Sequence, residues 1–447
     1  MNGLIASEPP TPRSATPIFA PIPAHPRLRR WCQRAGLISV GAIALTLVLA
    51  FGGVYPNSAL PAYAVLYLAL LVNLAVGGVR LLQSRWRWVD ASLLVCLLLP
   101  LAQIATGISV NPASSEAGWL QLLAAAAAFW LVRDAGRGNR VLLHWGPRLL
   151  AITAGLLALE ALAQLAWTPQ RVFGYFPVSV ATPMGPFVNR DDFAVFIELT
   201  VPFALMLGSR ARRFEQSLLW CALAGLALAS VAVSGSLGGG MVCTVELAAM
   251  LGLHLRWAQP SPQSRLSRHS RELANTHRRW TTGGMVALLT SAVVIASRPS
   301  ALVYRMHNPG PSLVERFSFI ASALSMAGAR PWLGFGLGTF AIKYPQFAHS
   351  NAILAYAHCD YAQWLAEMGT IGALAATAAA LCCIRAWGRP TKPLQWTCLV
   401  ALAGCAAHAG LEFPFHIPVL ALMFALIAGL LSANAPWPWS QGRVVSA

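Results

Sequence analysis

Long apolar runs limit most strongly what this chain can fold into. They are mostly about 15 to 20 residues long and are separated by loops that carry arginine, and this length is close to that needed to cross a hydrocarbon core of about 30 Å. Hydrophobic residues make up 57% of the chain and charged residues 11%, whereas a soluble domain carries roughly 25% charged residues. The sequence therefore excludes a water-soluble protein and predicts an all-α, polytopic membrane helix bundle.

Taken in order, the apolar runs predict about twelve transmembrane helices. The predicted spans lie near residues 35–53, 59–78, 89–108, 117–131, 149–167, 193–208, 217–234, 237–255, 283–296, 362–384, 396–411 and 417–431. The organisation that follows is a disordered cytoplasmic tail (1–34), nine helices (35–297) with an outer loop (168–192), a large periplasmic loop (298–361), three helices (362–431) and a second cytoplasmic tail (432–447).

The distribution of positive charge predicts which loops face the cytoplasm. Alternate loops and the two termini together hold 25 of the 32 lysine and arginine residues, and the remaining loops hold seven. Cytoplasmic loops are the ones that carry such an excess, so we expect both termini inside and the segments 168–192 and 298–361 outside. The formal charge of +17 is then a topology signal and not a sign of nucleic-acid binding.

The seven outer cations oppose the topological bias and so need another reason to be there. Arginine pairs bidentately with phosphate oxygens, and several arginines on one face of a membrane enzyme could hold a pyrophosphate leaving group. Contact with lipid head groups or helix capping is the alternative. Arg190 and Arg316 rank first, because each stands close to an apolar run and thus near the membrane boundary.

A general base could come from the outer histidines, since histidine best removes a proton from a sugar hydroxyl at neutral pH. His358 is the leading candidate, with Asp360 two residues on as a carboxylate that could orient the imidazole, although a structural histidine is the commoner case. The outer candidates are His307, His349, His358 and His416.

Acidic residues suggest two further possibilities. Asp191 and Asp192 could hold a divalent metal, but a salt bridge to Arg190 or a helix N-cap explains them without one. Three acids fall inside predicted spans and should face the bundle interior or a wet cavity, where they mark a proton route or pair with arginines. These are Glu160, Glu198 and Glu246.

Four segments together resemble the bacterial O-antigen ligase and polymerase family of multi-span glycan transferases. Residues 185–194 read GPFVNRDDFA, similar to the family's Gly-x-Phe-x-Asn-Arg-Asn-His-Phe-Ala, and Arg316 followed by RPWLGFGLGTF at 330–340 is similar to its arginine and Pro-x-x-Gly-x-Gly-x-Gly-Thr-Phe. His358 with Gly369 and Gly372 matches a third motif. The fourth, HAGLEFPFHIP at 408–418, resembles His-Ser-x-x-Asp-Phe-x-x-x-x-Pro.

The chain also departs from these motifs. Asp191 and Asp192 replace the usual Asn and His, Cys359 replaces Asn or Ser, and Glu412 replaces Asp. In the segment SGSLGG at 234–239, Leu237 stands where relatives often carry an arginine, so any role of that arginine is absent or moved.

The resemblance implies an inner-membrane enzyme of a Gram-negative bacterium with its active site facing the periplasm. Its donor would be a glycan on undecaprenyl pyrophosphate, and its acceptor a hydroxyl on lipid A core (ligase) or on another glycan (O-antigen or exopolysaccharide polymerase). The resemblance implies an inverting transfer without metal, nucleotide or other cofactor. His358 corresponds to the base and Arg190 and Arg316 to the pyrophosphate-binding cations.

Three residues are weaker candidates, each with packing or motif geometry as the alternative explanation. Arg330 is a further possible pyrophosphate ligand, and Asp360 and Glu367 are possible supporting residues. A secondary transporter or lipid flippase is the rival from another class, because the twelve predicted spans and membrane-embedded acids such as Glu198 would suit one. Transporters commonly show two related halves, and the sequence shows no internal repeat.

Overall fold

The computed structural model describes residues 25–83, 85–179, 181–257, 283–284, 313–349 and 353–435. Within them the regular secondary structure is almost entirely helical, and two short strands, β1 (Arg171–Val172) and β2 (Phe176–Pro177), form an antiparallel hairpin in the outer loop. The helices are α1 (Pro26–Leu49), α2 (Pro56–Ala75), α3 (Arg87–Ala105), α4 (Pro112–Ala135), α5 (Arg140–Trp167), α6 (Arg190–Arg210), α7 (Phe214–Ser234), α8 (Leu237–Trp257), α9 (Leu313–Ala329), α10 (Phe340–Lys343), α11 (Asp360–Trp387), α12 (Pro393–His408) and α13 (Pro418–Asn434), with 3₁₀ turns at Phe51–Gly53, Tyr344–Gln346 and Pro414–His416.

Nine of the described helices, α1 to α8 and α11, are long and apolar enough to cross a membrane, and α13 is a shorter apolar helix. Helices suit this task because each satisfies its own backbone hydrogen bonds where no water is present. The predicted all-α, polytopic membrane bundle is thereby confirmed. The predicted span 283–296 lies almost wholly outside the described residues, so the count of about twelve spans stays a prediction.

Helix starts differ from the predicted spans because the first turns are polar. Asn111, Asn139 and Asn189 cap α4, α5 and α6, and each side-chain oxygen accepts a backbone N–H at 3.0 or 3.1 Å. Proline occupies the first turn of α1, α2, α4, α12 and α13, where its missing N–H costs nothing. As a result α1 begins at Pro26, inside the segment predicted to be a disordered tail.

Helix α6 forms the centre of the bundle. It packs against α5, α7, α8 and α12, and nearly all of its residues are buried. Phe193, Phe196 and Phe203 are at most 1% exposed. A helix that is apolar on every side belongs in the interior, which places its polar N-terminus in the middle of one end of the bundle.

Among the described residues, loops of the two groups that the charge partition predicts lie at opposite ends of the helices. At the arginine-rich end, Arg133 pairs with Asp90 (2.5 Å) and Asp134 (3.0 Å), and the N–H of Arg80 donates to Asp134. The loops predicted to be external meet at the other end. Helix α9 lies inside the predicted large periplasmic loop, so this segment contains a packed helix.

A glycine-rich segment, residues 331–338, docks on a break in α11. Gly334 (φ +62°) and Gly369 (φ +63°) have backbone conformations that favour glycine, and a Cβ at Gly334 would lie 2.4 Å from the backbone of Glu367. The N–H groups of Phe335 and Gly336 donate to the carbonyls of Ala366 and Glu367 at 3.1 and 2.9 Å. This contact fixes the end of α9 against the beginning of α11.

Candidate functional site

The imidazole of His358 is held by Glu412. Nδ1 of His358 lies 2.8 Å from Oε2 of Glu412, and because a carboxylate only accepts, Nδ1 is the donor. In the neutral ring, Nε2 then carries the lone pair and is the nitrogen that can take up a proton. Phe319 and Phe413 flank the ring with centroids 5.7 and 5.0 Å away, and the side chain is 14% exposed.

The same carboxylate binds Arg316 in the first turn of α9. Nη1 of Arg316 contacts Oε1 of Glu412, and Nη2 lies 3.9 Å from Oδ2 of Asp191 at the start of α6. Burial by itself would raise the pKa of Glu412, but the hydrogen bond and charge of His358 and the charge of Arg316 bring that pKa below its ordinary value. Glu412 is therefore ionised at neutral pH and joins the histidine to the arginine.

Backbone hydrogen bonds fix the turn that carries Glu412. The N–H groups of Leu411 and Glu412 donate to the carbonyl of His408 at 2.9 and 3.0 Å. The N–H of Asp360, the first residue of α11, donates to the carbonyls of Ala409 and Glu412 at 2.9 and 3.1 Å. This turn and the approach to α11 form one unit, which brings Glu412 beside His358.

Segment 408–416 contributes one member to each of three histidine–carboxylate pairs. His408 binds Glu198 on α6 (2.7 Å), Glu412 binds His358, and Nδ1 of His416 binds Asp360. The three positions are four residues apart, and their partners lie on different parts of the chain. The segment therefore connects α6, α11 and the loop before α11.

His416 carries a positive charge in this arrangement. Burial lowers its pKa, but the charge and hydrogen bond of Asp360, together with Glu367, outweigh burial and raise the pKa to about 10. The other oxygen of Asp360 accepts the N–H of Phe415 at 2.8 Å, so both carboxylate oxygens are engaged. The pair fixes the end of segment 408–416 on α11.

Of the sequence-predicted site residues, the structure joins His358 and Arg316 through Glu412, and Arg190 directly precedes Asp191, which lies 3.9 Å from Arg316. Arg190 is the first residue of α6, is 5% exposed, and lies close enough to Asp191 for its charge to act on that carboxylate. Its N–H donates to the carbonyl of Thr182 at 2.8 Å.

The expectation that Asp360 orients His358 is corrected, because the carboxylate that holds His358 is that of Glu412. Asp360 binds His416, and residues two apart at a helix start do not face each other. Glu367 and Arg330, which the sequence also predicted, contact other groups. Glu367 is fully buried and accepts the N–H groups of Gly338 (2.7 Å) and Phe340 (3.0 Å), so it anchors the glycine-rich segment.

Arg330 lies just beyond the opposite end of α9 from Arg316. At 1.5 Å per residue the two are separated by about 20 Å along the helix. Nη1 of Arg330 donates to the carbonyl of Ile108 at 2.9 Å, and its guanidinium lies over the ring of Phe335 at 4.7 Å. The structure therefore does not bring Arg330 to the arginine and histidine described above.

Asp191 and Asp192 have protein partners that the sequence did not fully predict. Asn189 is the N-cap of α6, and Asp191 contacts Arg316 and hydrogen-bonds Ser236. Asp192 is 7% exposed. Among the described residues no group of three or more His, Cys, Asp and Glu side chains has the arrangement of a metal site.

Several helix N-termini meet around these side chains. Helix α6 begins at Arg190, α8 follows Ser236, and α11 begins at Asp360, whose N–H contacts the turn of Glu412. Helix N-termini carry partial positive charge and favour anions. The site therefore combines a histidine with arginines and helix N-termini that favour negative charge.

Sequence reasoning missed the roles of Glu412 and His408 and left His416 unassigned. Glu412 was noted only as a departure from a motif. The signal that could have found them is the spacing of the three residues at every fourth position in segment 408–416, directly before an apolar run.

The comparisons with known proteins agree with the resemblance. No curated protein matches the chain. Residues 222–377, about a third of the chain, match the O-antigen ligase family. The matched part includes Arg316 and His358, whereas Arg190 and Glu412 lie outside it. Residues 222–377 of this chain are therefore similar to the O-antigen ligase family, in line with the four motifs described above.

Proposed function

We propose that this protein transfers an oligo- or polysaccharide from undecaprenyl pyrophosphate to an acceptor hydroxyl at the periplasmic face of the inner membrane, as an O-antigen ligase does. One observation carries the proposal. The carboxylate of Glu412 orients the imidazole of His358 through Nδ1 and also binds the guanidinium of Arg316. Transfer from a pyrophosphate requires a base for the acceptor hydroxyl and a cation for the leaving group, and Glu412 holds a candidate for each.

The base acts on the acceptor. Nε2 of His358 takes the proton of the acceptor hydroxyl as that oxygen attacks the anomeric carbon of the donor sugar. The new glycosidic bond forms while the bond from carbon to the pyrophosphate oxygen breaks, and the electron pair leaves with the pyrophosphate. A single displacement of this kind inverts the anomeric configuration. The negative charge of Glu412 stabilises the imidazolium that forms, as a carboxylate does in a triad.

The cations act on the leaving group. Arg316 and Arg190 offer guanidinium groups to the pyrophosphate, and the N-termini of α6 and α8 add partial positive charge. The contact between Arg316 and Asp191 is long, at 3.9 Å, so a pyrophosphate can replace this carboxylate at little cost. In this proposal the arginines stabilise the negative charge on the leaving pyrophosphate, which in other enzymes a metal ion stabilises. The proposed reaction therefore needs no metal.

The acceptor decides between two activities of the same chemistry. A ligase transfers the finished polymer to lipid A core, and a polymerase, of O-antigen or exopolysaccharide, joins one lipid-linked repeat to another. The experiment is a gel and mass-spectrometric profile of surface glycans and lipid-linked intermediates in a deletion strain that carries wild type, His358→Ala, Arg316→Ala or His349→Ala.

His349 is the matched control, because it is an exposed histidine whose ring contacts Ser325 (3.1 Å). We expect the His358 and Arg316 variants to fail to complement and the His349 variant to complement. Lost polymer on lipid A core with accumulated lipid-linked polymer supports a ligase, and short lipid-linked units support a polymerase. Full complementation by the His358 variant would overturn the proposal and favour a transporter or flippase, and unchanged donor lipid in the deletion strain would also overturn the proposal.

A further inference from the structure

A second histidine–carboxylate pair lies deeper in the bundle than the site. Nδ1 of His408 lies 2.7 Å from Oε1 of Glu198, and the two side chains are 1% and 0% exposed. Glu198 stands seven residues after Asp191 on α6, about 10 Å further along the helix axis. Both side chains are almost fully buried and the proposed transfer assigns no step to either, so the presence of the pair needs another explanation.

The backbone of His408 leads directly to the site. Its carbonyl oxygen accepts the N–H groups of Leu411 and Glu412, and so it begins the turn that presents the Glu412 carboxylate. The side chain of His408 meanwhile binds α6, the helix whose first turn carries Asp191. The pair thus joins the two parts of the chain from which the site is built.

Two glycines allow the helices around His408 to pack closely without a clash. A Cβ at Gly238 on α8 would lie 2.5 Å from Nε2 of His408, and a Cβ at Gly404 on α12 would lie 2.1 Å from Oε1 of Glu246. Side chains at either position would push α8 and α12 apart. The close approach of α6, α8 and α12 therefore depends on these glycines and places His408 against Glu198 with little freedom to move.

We propose that His408 and Glu198 are positioning residues for His358. The hydrogen bond between them fixes the end of α12 on α6, the end of α12 fixes the turn, and the turn holds Glu412 against Nδ1 of His358. The assignment of a reaction to His358 rests on the proposed function, but the positioning itself is a property of the fold. A buried charged pair that is broken on one side is costly, so the position of the turn depends on both partners.

The first test uses variants that separate the hydrogen bond from the bulk of the side chain. His408→Leu removes the donor, whereas His408→Asn places an amide nitrogen where Nδ1 stood. Thr200→Val is the matched control on α6, because Thr200 is fully buried and its hydroxyl donates to Phe196 (2.7 Å) within the same helix. Each purified variant is checked for a single oligomeric species and for its thermal midpoint.

In transfer assays with lipid-linked donor, we expect His408→Leu to lower kcat by up to about 100-fold, because displacing a reacting group by about 1 Å can cost that much, with KM nearly unchanged. His408→Asn should recover most of kcat, and Thr200→Val should match wild type. Equal losses in the Leu and Asn variants, or wild-type kcat in both, would overturn the inference.

A readout that needs no substrate separates this inference from the proposed function. Diethyl pyrocarbonate acylates the unprotonated imidazole nitrogen, and mass spectrometry follows the rate at His358. The Glu412 contact sets both the nucleophilicity and the exposure of the ring, so this rate should differ from the wild-type value in His408→Leu, return to it in His408→Asn and stay at it in Thr200→Val. An unchanged rate in His408→Leu overturns the positioning role. If wild type transfers no glycan while the acylation pattern holds, the proposed function fails and the positioning role stands.

Discussion

Replacing Glu412 by glutamine tests the central contact of the site with almost no change in shape. In the wild type two acceptor oxygens face two donors, Nδ1 of His358 at Oε2 and Nη1 of Arg316 at Oε1. Glutamine offers one acceptor oxygen and one donor amide, so it cannot satisfy both. The charged guanidinium makes the stronger hydrogen bond and should take the oxygen, which leaves the amide N–H₂ facing the imidazole.

The size of the effect follows from the tautomer. An imidazole that accepts at Nδ1 carries its proton on Nε2, and Nε2 is then no longer a base. In serine proteases the equivalent change costs about 10⁴ in kcat, or about 5.5 kcal/mol at 1.36 kcal/mol per tenfold. Where the amide turns the other way, the remaining loss is that of a buried charged partner, about 3 kcal/mol. We therefore expect kcat to fall by about 10²- to 10⁴-fold.

The assay measures initial rates of glycan transfer by purified protein in nanodiscs, with donor concentration varied so that kcat and KM separate. Glu116→Gln is the control, since Glu116 is an exposed acid near the start of α4. Glu412→Asp should retain more activity than Glu412→Gln, because it keeps the charge. A folded Glu412→Gln protein with kcat within about threefold of wild type would refute the role of Glu412 as the orienting group.

Three further predictions concern stability. Gly404→Ala places a Cβ 2.1 Å from Glu246, and we expect overpacking to cost about 1 to 3 kcal/mol; an unchanged thermal midpoint in detergent would contradict the packing. Gly334→Ala at φ +62° should cost about 1 to 3 kcal/mol from backbone strain alone, measured by the same scan, and a wild-type midpoint would speak against the docking of the glycine-rich segment. His416 has a pKa raised from 6.5 to about 10, so its stabilising contribution is complete below pH 6.5 and is lost as the pH rises through about 10. Asp360→Asn should flatten this dependence in midpoints recorded across that range, and an identical pH profile in the variant would exclude the ion pair.

The sequence predicted those parts of the fold that depend on composition and periodicity. The spans predicted at 193–208 and 237–255 lie within α6 and α8, because apolar runs of that length can satisfy their backbone only as helices. The starts of α1 and α5 were predicted nine residues too late, at 35 and 149 instead of Pro26 and Arg140. Polar first turns with proline or asparagine caps extend helices beyond the apolar core.

The site was predictable only in part, because its contacts join distant residues. His358 and Arg316 could be chosen from residue type and position, but the partner of His358 is Glu412, 54 residues away. Asp360 looked suitable by proximity, although its place in the first turn of α11 directs it to His416. Likewise Arg330 shares a motif with Arg316 but stands about four helical turns away, a separation visible only once α9 is known to be a helix.

Segment 408–416 also sets a constraint on chain length. Every fourth residue of the segment, at 408, 412 and 416, pairs with a residue elsewhere in the chain. Adding or removing one residue between His408 and His416 would therefore move at least one of these side chains away from its partner. No rotamer change can restore such a shift, because backbone hydrogen bonds join the turn to Asp360. A substitution in this segment removes one of the three pairs, whereas an insertion or deletion would separate His358, Glu412 and α6 in a single step.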